Sequence, residues 1–82
     1  MITIKYYATL AAMAGKKTEE LEASNVRDVL RHIKTVYGSA AYKEARRMLI
    51  TVNNESILLK KVFATSLKDG DELAFFPILA GG

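Results

Sequence analysis

The sequence predicts a single α+β domain, with a mixed sheet of about five strands and helices on one face of it. Three observations predict this fold. Apolar and polar side chains alternate over residues 2–6, as in a strand with one buried face. Residues 26–37 carry an apolar stripe at helical spacing. The second half of the chain holds short apolar stretches bounded by turn residues, which is typical of strands. With 82 residues, half of them hydrophobic, the chain can bury one small core.

The first strand is expected over residues 1–8. Its alternation places Tyr7 on the face opposite to the core, and the core face is formed by Ile2, Ile4 and Tyr6. A short Ala- and Met-rich helical segment then ends at Gly15. Residues 16–23 follow as a second strand, which three glutamates mark as a polar edge.

The longest helix is expected to begin after Asn25, a good N-cap residue, with Asp28 at its third position. Gly38 is a suitable C-terminal stop. The apolar stripe of this helix comprises Val26, Val29, Leu30, Ile33, Val36 and Tyr37. His32 falls outside the stripe and is expected to face solvent.

The second half is expected to hold one helix and three strands, the last of them described below. Residues 40–47 favour a shorter helix, and residues 48–52 a buried strand. Asn53-Asn54 is a turn that leads into a hairpin strand over 56–59. In the connection that follows, over 60–67, three apolar residues can tuck inward: Val62, Phe63 and Leu67.

The last strand is expected over 72–76, between the turn Asp69-Gly70-Asp71 and Pro77, which cannot donate to a ladder. We expect a folded domain over residues 1–76 and a flexible tail over 77–82. That tail ends in Gly81-Gly82, the narrowest end that a polypeptide can have, and can thread a tight channel. An inert, frayed terminus is the alternative interpretation of these two glycines.

Composition excludes several kinds of active site. The chain has no cysteine and one histidine, so it offers no thiol nucleophile, no thiolate metal site and no histidine cluster. The net charge of +3 comes from scattered basic pairs, which favour solvated surface over nucleic-acid binding. No apolar run is long enough to span a membrane, and no signal segment opens the chain. We therefore expect a cytoplasmic protein without an active site of its own.

The motifs of the chain resemble those of the MoaD/ThiS sulfur carriers, which have the ubiquitin-like β-grasp fold. The resemblance covers nearly the whole chain and rests on its first strand, on Val52-Asn53, on Asp69-Gly70-Asp71-Glu72 and on the terminal Gly81-Gly82. Phe75-Phe76-Pro77 before the tail is most similar to MoaD, the small subunit of molybdopterin synthase.

This resemblance implies a chemistry at the carboxylate of Gly82. A MoeB-like adenylating enzyme would use ATP to form the Gly82 acyl-adenylate, and a sulfur-relay protein would convert it to a thiocarboxylate. The tail would then enter a MoaE-like large subunit, in a heterotetramer, and pass its sulfur to cyclic pyranopterin monophosphate. The carrier itself would hold no cofactor, and Gly81 would serve the passage of the tail.

The partner-binding surface is expected beside the tail. If Leu73 and Phe75 pack under the helix, Phe76 and Tyr7 emerge together on the other face of the sheet, since the first and last strands are neighbours in this fold. An exposed aromatic pair indicates a partner site, although a covering loop is an alternative. The rest of the expected contact surface is the tail segment Pro77, Ile78, Leu79 and Ala80.

Three other functions remain open from the sequence. A ubiquitin-like modifier would use the same activated Gly82 to acylate lysines of other proteins. Delivery of sulfur to thiazole synthesis, as by ThiS, is disfavoured by Phe75-Phe76-Pro77. An interaction module with an inert tail would never form a thiocarboxylate.

Overall fold

A computed structural model describes residues 1–57 and 65–78. Within this part, three helices and five strands follow one another along the chain. They are β1 (Ile2–Tyr6), α1 (Ala8–Ala14), β2 (Thr18–Leu21), α2 (Val26–Tyr37), α3 (Ser39–Arg47), β3 (Leu49–Val52), β4 (Glu55–Ser56) and β5 (Glu72–Phe76).

The strands form one mixed sheet in the order β2-β1-β5-β3-β4. The first and last strands lie side by side and run parallel, with Ile4 opposite Leu73 and Tyr6 opposite Phe75. The other three pairings are antiparallel. The expected α+β fold, with neighbouring first and last strands, is therefore confirmed, and β2 is confirmed as an edge strand.

The core lies between the sheet and the helices. Ile2, Ile4 and Tyr6 from β1 and Leu73 and Phe75 from β5 are each at most 1% exposed. The alternation in both strands is thus confirmed. The α2 residues that pack against them are Val26, Val29, Leu30 and Ile33, and Val52 of β3 is half-buried beside them.

Val36 was wrongly predicted to belong to the apolar stripe of α2. Its side chain is 55% exposed. Val36 lies at the rim of the stripe, in the last turn of the helix, where helical spacing no longer guarantees a neighbour to pack against. Tyr37 is half-buried and does contact the core.

A side-chain cap begins α2, and a glycine follows its last residue. The Asn25 side chain accepts a hydrogen bond from the backbone N–H of Asp28 at 2.9 Å. In return, the Asp28 carboxylate accepts from the N–H of Ser24 at 3.0 Å, so the predicted N-terminal cap is confirmed. The helix ends at Tyr37, and the cap residue Gly38 has a positive φ of 99°, which favours glycine.

The Asn53-Asn54 turn between β3 and β4 is confirmed. Both residues have positive φ angles, 52° and 69°, as a tight hairpin turn requires. Ile57 follows β4 and is buried, and Leu67 is buried as predicted. The expected strand residues 58 and 59, with Val62 and Phe63, lie outside the described residues.

Candidate functional site

Two aromatic rings are stacked on the sheet face that the helices leave open. The rings of Tyr7 and Phe76 have centroids 4.7 Å apart and are inclined by 12°. Phe76 is half-buried, and Tyr7 is 37% exposed. Leu49 of β3 lies opposite Phe76 in the ladder, so its side chain is on the same face. We call Tyr7, Leu49 and Phe76 the aromatic patch; it confirms the predicted proximity of the two rings.

The backbone at the end of β1 determines where Tyr7 points. Tyr7 is extended, at φ −130° and ψ 157°, and is the N-cap residue of α1. The next residue, Ala8, has a φ of 55°, in the left-handed region that a residue with a Cβ rarely adopts. The chain thus turns sharply into α1 and leaves the Tyr7 ring over β5. No pattern in the sequence indicated this conformation of Ala8.

A groove adjoins the aromatic patch between β1, α1 and β2. It has a volume of about 380 Å³ and is lined by Tyr6, Tyr7, Ala8, Ala11, Thr18 and two lysines, Lys5 and Lys17. Lys5 is paired with Glu72 at 3.3 Å. The surface around Tyr7 is therefore apolar with basic borders.

The start of the tail is exposed. Pro77 follows β5 directly, and Ile78, two residues after Phe76 in the chain, is a large apolar residue that is 52% exposed. The other predicted tail residues, Leu79, Ala80, Gly81 and Gly82, lie outside the described residues. The domain boundary at residue 76 and the role of Gly82 therefore stay predictions.

His32 was wrongly predicted to face solvent. Its side chain is 25% exposed, and Nε2 lies 3.1 Å from Oε2 of Glu19. The two atoms are close, but the contact does not have the geometry of a hydrogen bond. Glu19 reaches it from β2, the neighbouring edge of the sheet, which helical periodicity alone could not reveal.

Glu19 is the centre of a polar cluster that joins β2 to α2. The hydroxyls of Tyr6 and Tyr37 each donate to its Oε1 at 2.8 Å, and Lys16 lies 3.6 Å from Oε2. Partial burial opposes ionisation, but the hydrogen bonds outweigh it and lower the pKa of Glu19. Burial and the bond to Glu19 raise the pKa of Tyr6. Both oxygens of the carboxylate are therefore in contact with other polar groups, and the cluster links α2 to β1 and β2.

The carboxylate of Asp71, in the acidic turn before β5, accepts hydrogen bonds that stabilise the turn. Asp71 accepts from the backbone N–H of Lys68 at 2.8 Å and from the side chain of Asn53 at 3.0 Å. The first of these bonds is the main cause of the lowered pKa of Asp71. Among residues 1–57 and 65–78, no group of three or more side chains could hold a metal ion. In the same ranges, no helix has the length and apolar character to cross a membrane.

The sheet order and the packed helices define the class of protein: a ubiquitin-like β-grasp protein. The ThiS family matches residues 4–82, and the chain therefore belongs to this family of ubiquitin-like sulfur carriers. No curated protein matches the chain in sequence at a significant level.

Three solved structures illustrate the range of its relatives. Small archaeal modifier protein 1 from Methanosarcina acetivorans has a TM-score of 0.83 and 26% identity, over 99% of this chain and 95% of that one. CysO in the BexX/CysO complex of Amycolatopsis orientalis has a TM-score of 0.82 and 21% sequence identity, and the match covers the whole of both chains. The third structure is the complex of subunits 1 and 2 of the molybdopterin-converting factor of Helicobacter pylori. A chain in it has a TM-score of 0.69 and 18% sequence identity, over 99% of this chain and 97% of that one.

These likenesses differ in what they establish. The second and third are below 25% identity and show the fold alone. Two of the three structures are complexes with a partner protein.

Proposed function

We propose that this protein is the sulfur carrier of molybdopterin synthase, its small subunit, and that Gly82 carries the sulfur. Membership in the ThiS family supports a sulfur carrier. Phe75-Phe76-Pro77 before the tail supports the molybdopterin branch.

The observation that carries the proposal is the aromatic patch at the start of the tail. Phe76 is the last residue of β5, and its ring stacks on Tyr7 at the same end of the sheet. A partner that covers this patch is therefore positioned to receive the tail. Stacked, partly exposed aromatic side chains are typical anchors of protein interfaces.

The chemistry requires activation from outside. The α-carboxylate of Gly82, with an ordinary pKa of ~3.5, is ionised at neutral pH and is a poor acyl donor. A MoeB-like enzyme would supply ATP, form the acyl-adenylate and release pyrophosphate. Attack by a persulfide sulfur then displaces AMP, and cleavage of the sulfur–sulfur bond by a thiol leaves the thiocarboxylate. A MoaE-like large subunit would contribute the groups that bind the pterin and transfer protons.

The tail is long enough for this task. Residues 77–82 span roughly 20 Å when extended. The folded body can therefore remain at the partner's surface while Gly82 enters a buried pocket. Gly81 matters here because a side chain at that position would widen the tail.

Loading of sulfur onto Gly82 is the direct test. We expect incubation with an adenylating enzyme, ATP and a sulfur donor to exchange one carboxylate oxygen for sulfur, which intact-mass spectrometry detects. A chain lacking Gly82 should keep its melting temperature and accept no sulfur. Gly81→Val, a matched change that keeps the terminal carboxylate, should be loaded or unloaded more slowly. Undiminished sulfur incorporation in the truncated chain would refute the role of Gly82.

A protein modifier is the second candidate function. The 26% identity to small archaeal modifier protein 1 favours it specifically. An activated Gly82 can be attacked by an amine as well as by sulfur, so the tail chemistry permits both. Lysine-linked Gly-Gly remnants on cellular proteins would support the modifier, whereas a thiocarboxylate in protein isolated from its native cell would support the carrier.

A further inference from the structure

The positive charge of this protein is concentrated on two helices. Helices α2 and α3 contain six basic residues, namely Arg27, Arg31, Lys34, Lys43, Arg46 and Arg47, and two acidic ones, Asp28 and Glu44. Their net charge is +4, whereas that of the whole chain is +3. All other residues together therefore carry −1, and the helical side is the basic side of the molecule.

Three of these cations form one line along α2. Arg27, Arg31 and Lys34 are spaced four and three residues apart, so they lie on the same exposed stripe of the helix. The line is about 10 Å long, from the helical rise per residue. Arg31 approaches Asp28 at 3.8 Å, but Arg27 and Lys34 have no carboxylate within ion-pair distance in the described part of the chain. The scattered basic pairs predicted from the sequence did not include this stripe.

An aromatic ring from α3 lies beside the line. Nζ of Lys34 is 5.3 Å and the guanidinium carbon of Arg46 is 5.6 Å from the centre of the Tyr42 ring. Between the two helices is a groove of about 210 Å³, lined by Tyr42, Leu30 and the three α2 cations. We call these residues, with Arg46, the basic groove.

The composition of the groove discriminates between anionic partners. Lys34 and Arg46 both lie over the Tyr42 ring, so a nucleic-acid base would compete with them for stacking on it. A floor that includes Leu30 and Tyr42 suits a peptide in which carboxylates alternate with apolar side chains. Charge complementarity therefore favours an acidic protein segment.

We infer that the basic groove between α2 and α3 binds an acidic segment of a partner protein that contains both carboxylate and apolar side chains. The groove is on the helical side of the sheet, and the aromatic patch is on the other side. A protein held at the groove therefore leaves the patch and the start of the tail uncovered. Such a partner can remain bound while the tail is processed by another protein.

A peptide titration tests this inference. The probe is a synthetic peptide of glutamate and leucine residues, added to isotope-labelled protein and followed by the amide resonances in NMR spectra. We expect changes confined to α2 and α3, and an affinity that falls as salt is raised. Arg31→Gln with Lys34→Gln should weaken binding about tenfold, since two favourable charge contacts are removed.

Three controls keep the result interpretable. Lys17→Gln with Lys68→Gln removes the same charge from exposed positions outside the groove and should leave the affinity unchanged. Phe76→Ala should also leave it unchanged, which separates this site from the proposed sulfur-carrier function. If the Arg31/Lys34 variant melts early, Arg27→Gln alone serves as the test.

Several outcomes would overturn the inference. Equal loss of affinity in the two double variants would mean non-specific attraction. Tighter binding of a single-stranded RNA or a duplex DNA than of the peptide would identify a nucleic-acid surface instead. Loss of binding in Phe76→Ala would assign the peptide to the aromatic patch. Absence of binding to the unmodified protein at low salt would refute the site altogether.

Discussion

Two adjacent residues of β5, Phe75 and Phe76, have opposite environments. Phe75 is fully buried and stacks on Tyr6, with ring centroids 6.1 Å apart. Phe76 is half-buried and stacks on Tyr7 on the open face. The pleat of the strand alone separates the two roles. The Phe75 ring is part of the core, and the Phe76 ring is partly exposed on the open face.

Phe76→Ala should therefore weaken partner binding without unfolding the protein. Removing a central interface aromatic costs about 2 kcal/mol or more, which is about thirtyfold in affinity. Titration calorimetry with the large subunit and with the adenylating enzyme measures this loss, and a melting curve verifies the fold. If binding is unaffected by this substitution, the aromatic patch is not the docking site.

Phe75→Ala is the matched control one position away. Because Phe75 is 0% exposed, we expect it to cost about 3–5 kcal/mol of stability. If Phe76→Ala unfolds the protein while Phe75→Ala stays folded and loses binding, the assignment of the two faces is reversed.

Glu19 links stability to pH. Its pKa is lowered in the folded protein by bonds from two tyrosines and a contact with His32, against the effect of partial burial. A depressed carboxyl pKa stabilises the fold above the pKa of the unfolded chain, and this contribution is lost as the pH falls through the acid range.

Glu19→Gln should remove that linkage. We expect the variant to be less stable at neutral pH by about 1–2 kcal/mol, because a charge-assisted acceptor is lost, and to lose less further stability on acidification. Urea unfolding from neutral to acid pH measures both effects. Glu20→Gln, at the neighbouring exposed position of β2, is the control. Identical pH profiles for Glu19→Gln and the unmodified protein would contradict this role.

At the scale of elements, α2 provides most of the helical contribution to the core. Its buried residues contact β1 and β5, its N-terminus is capped by Asn25, and its C-terminal region is tied to β2 through Glu19. Its opposite stripe carries the cations of the basic groove. The amphipathic character of one helix thus both closes the core and forms a charged surface.

Leu30→Ala tests the packing of α2. Leu30 is 2% exposed, so we expect a loss of about 2–5 kcal/mol in the free energy of unfolding. Val36→Ala, in the same helix but at an exposed position, should change it by less than about 0.5 kcal/mol. Chemical denaturation of the two variants compares them directly. A loss well under 1 kcal/mol for Leu30→Ala would argue against a tightly packed α2.

At the scale of the whole molecule, the sheet separates two surfaces. The aromatic patch and the start of the tail are on one side, and the basic groove is on the other. In the proposed function, the adenylating enzyme and the large subunit both need the tail, so both need the side that carries the patch. The side with the aromatic patch can therefore bind one tail-processing partner at a time, whereas the basic groove stays accessible while that partner is bound.

The two tail-processing complexes should be mutually exclusive. Adding the large subunit to a preformed complex of this protein with the adenylating enzyme should release the enzyme, since one tail cannot occupy two channels. Analytical size exclusion or a fluorescence competition assay would follow the exchange. A stable ternary complex that contains a single copy of this protein would contradict a shared docking face.

The sequence by itself determined the elements and their faces. Alternation in β1 and β5, the stripe of α2 and the turn residues are local properties, because each follows from the repeat of one helix or strand. The proximity of Tyr7 and Phe76 was predictable only with the strand order that the family resemblance supplied. Given that order, alternation was sufficient to place both rings on the open face.

Only the tertiary structure decided what depends on contacts between elements distant in sequence. His32 was expected in solvent and meets Glu19 of β2, while Val36 was assigned to the apolar stripe of α2 and is exposed. Whether a residue at the rim of a helical stripe is covered depends on the neighbouring element, and periodicity contains no information about that neighbour. The basic groove likewise exists because α3 places Tyr42 and Arg46 beside the cations of α2.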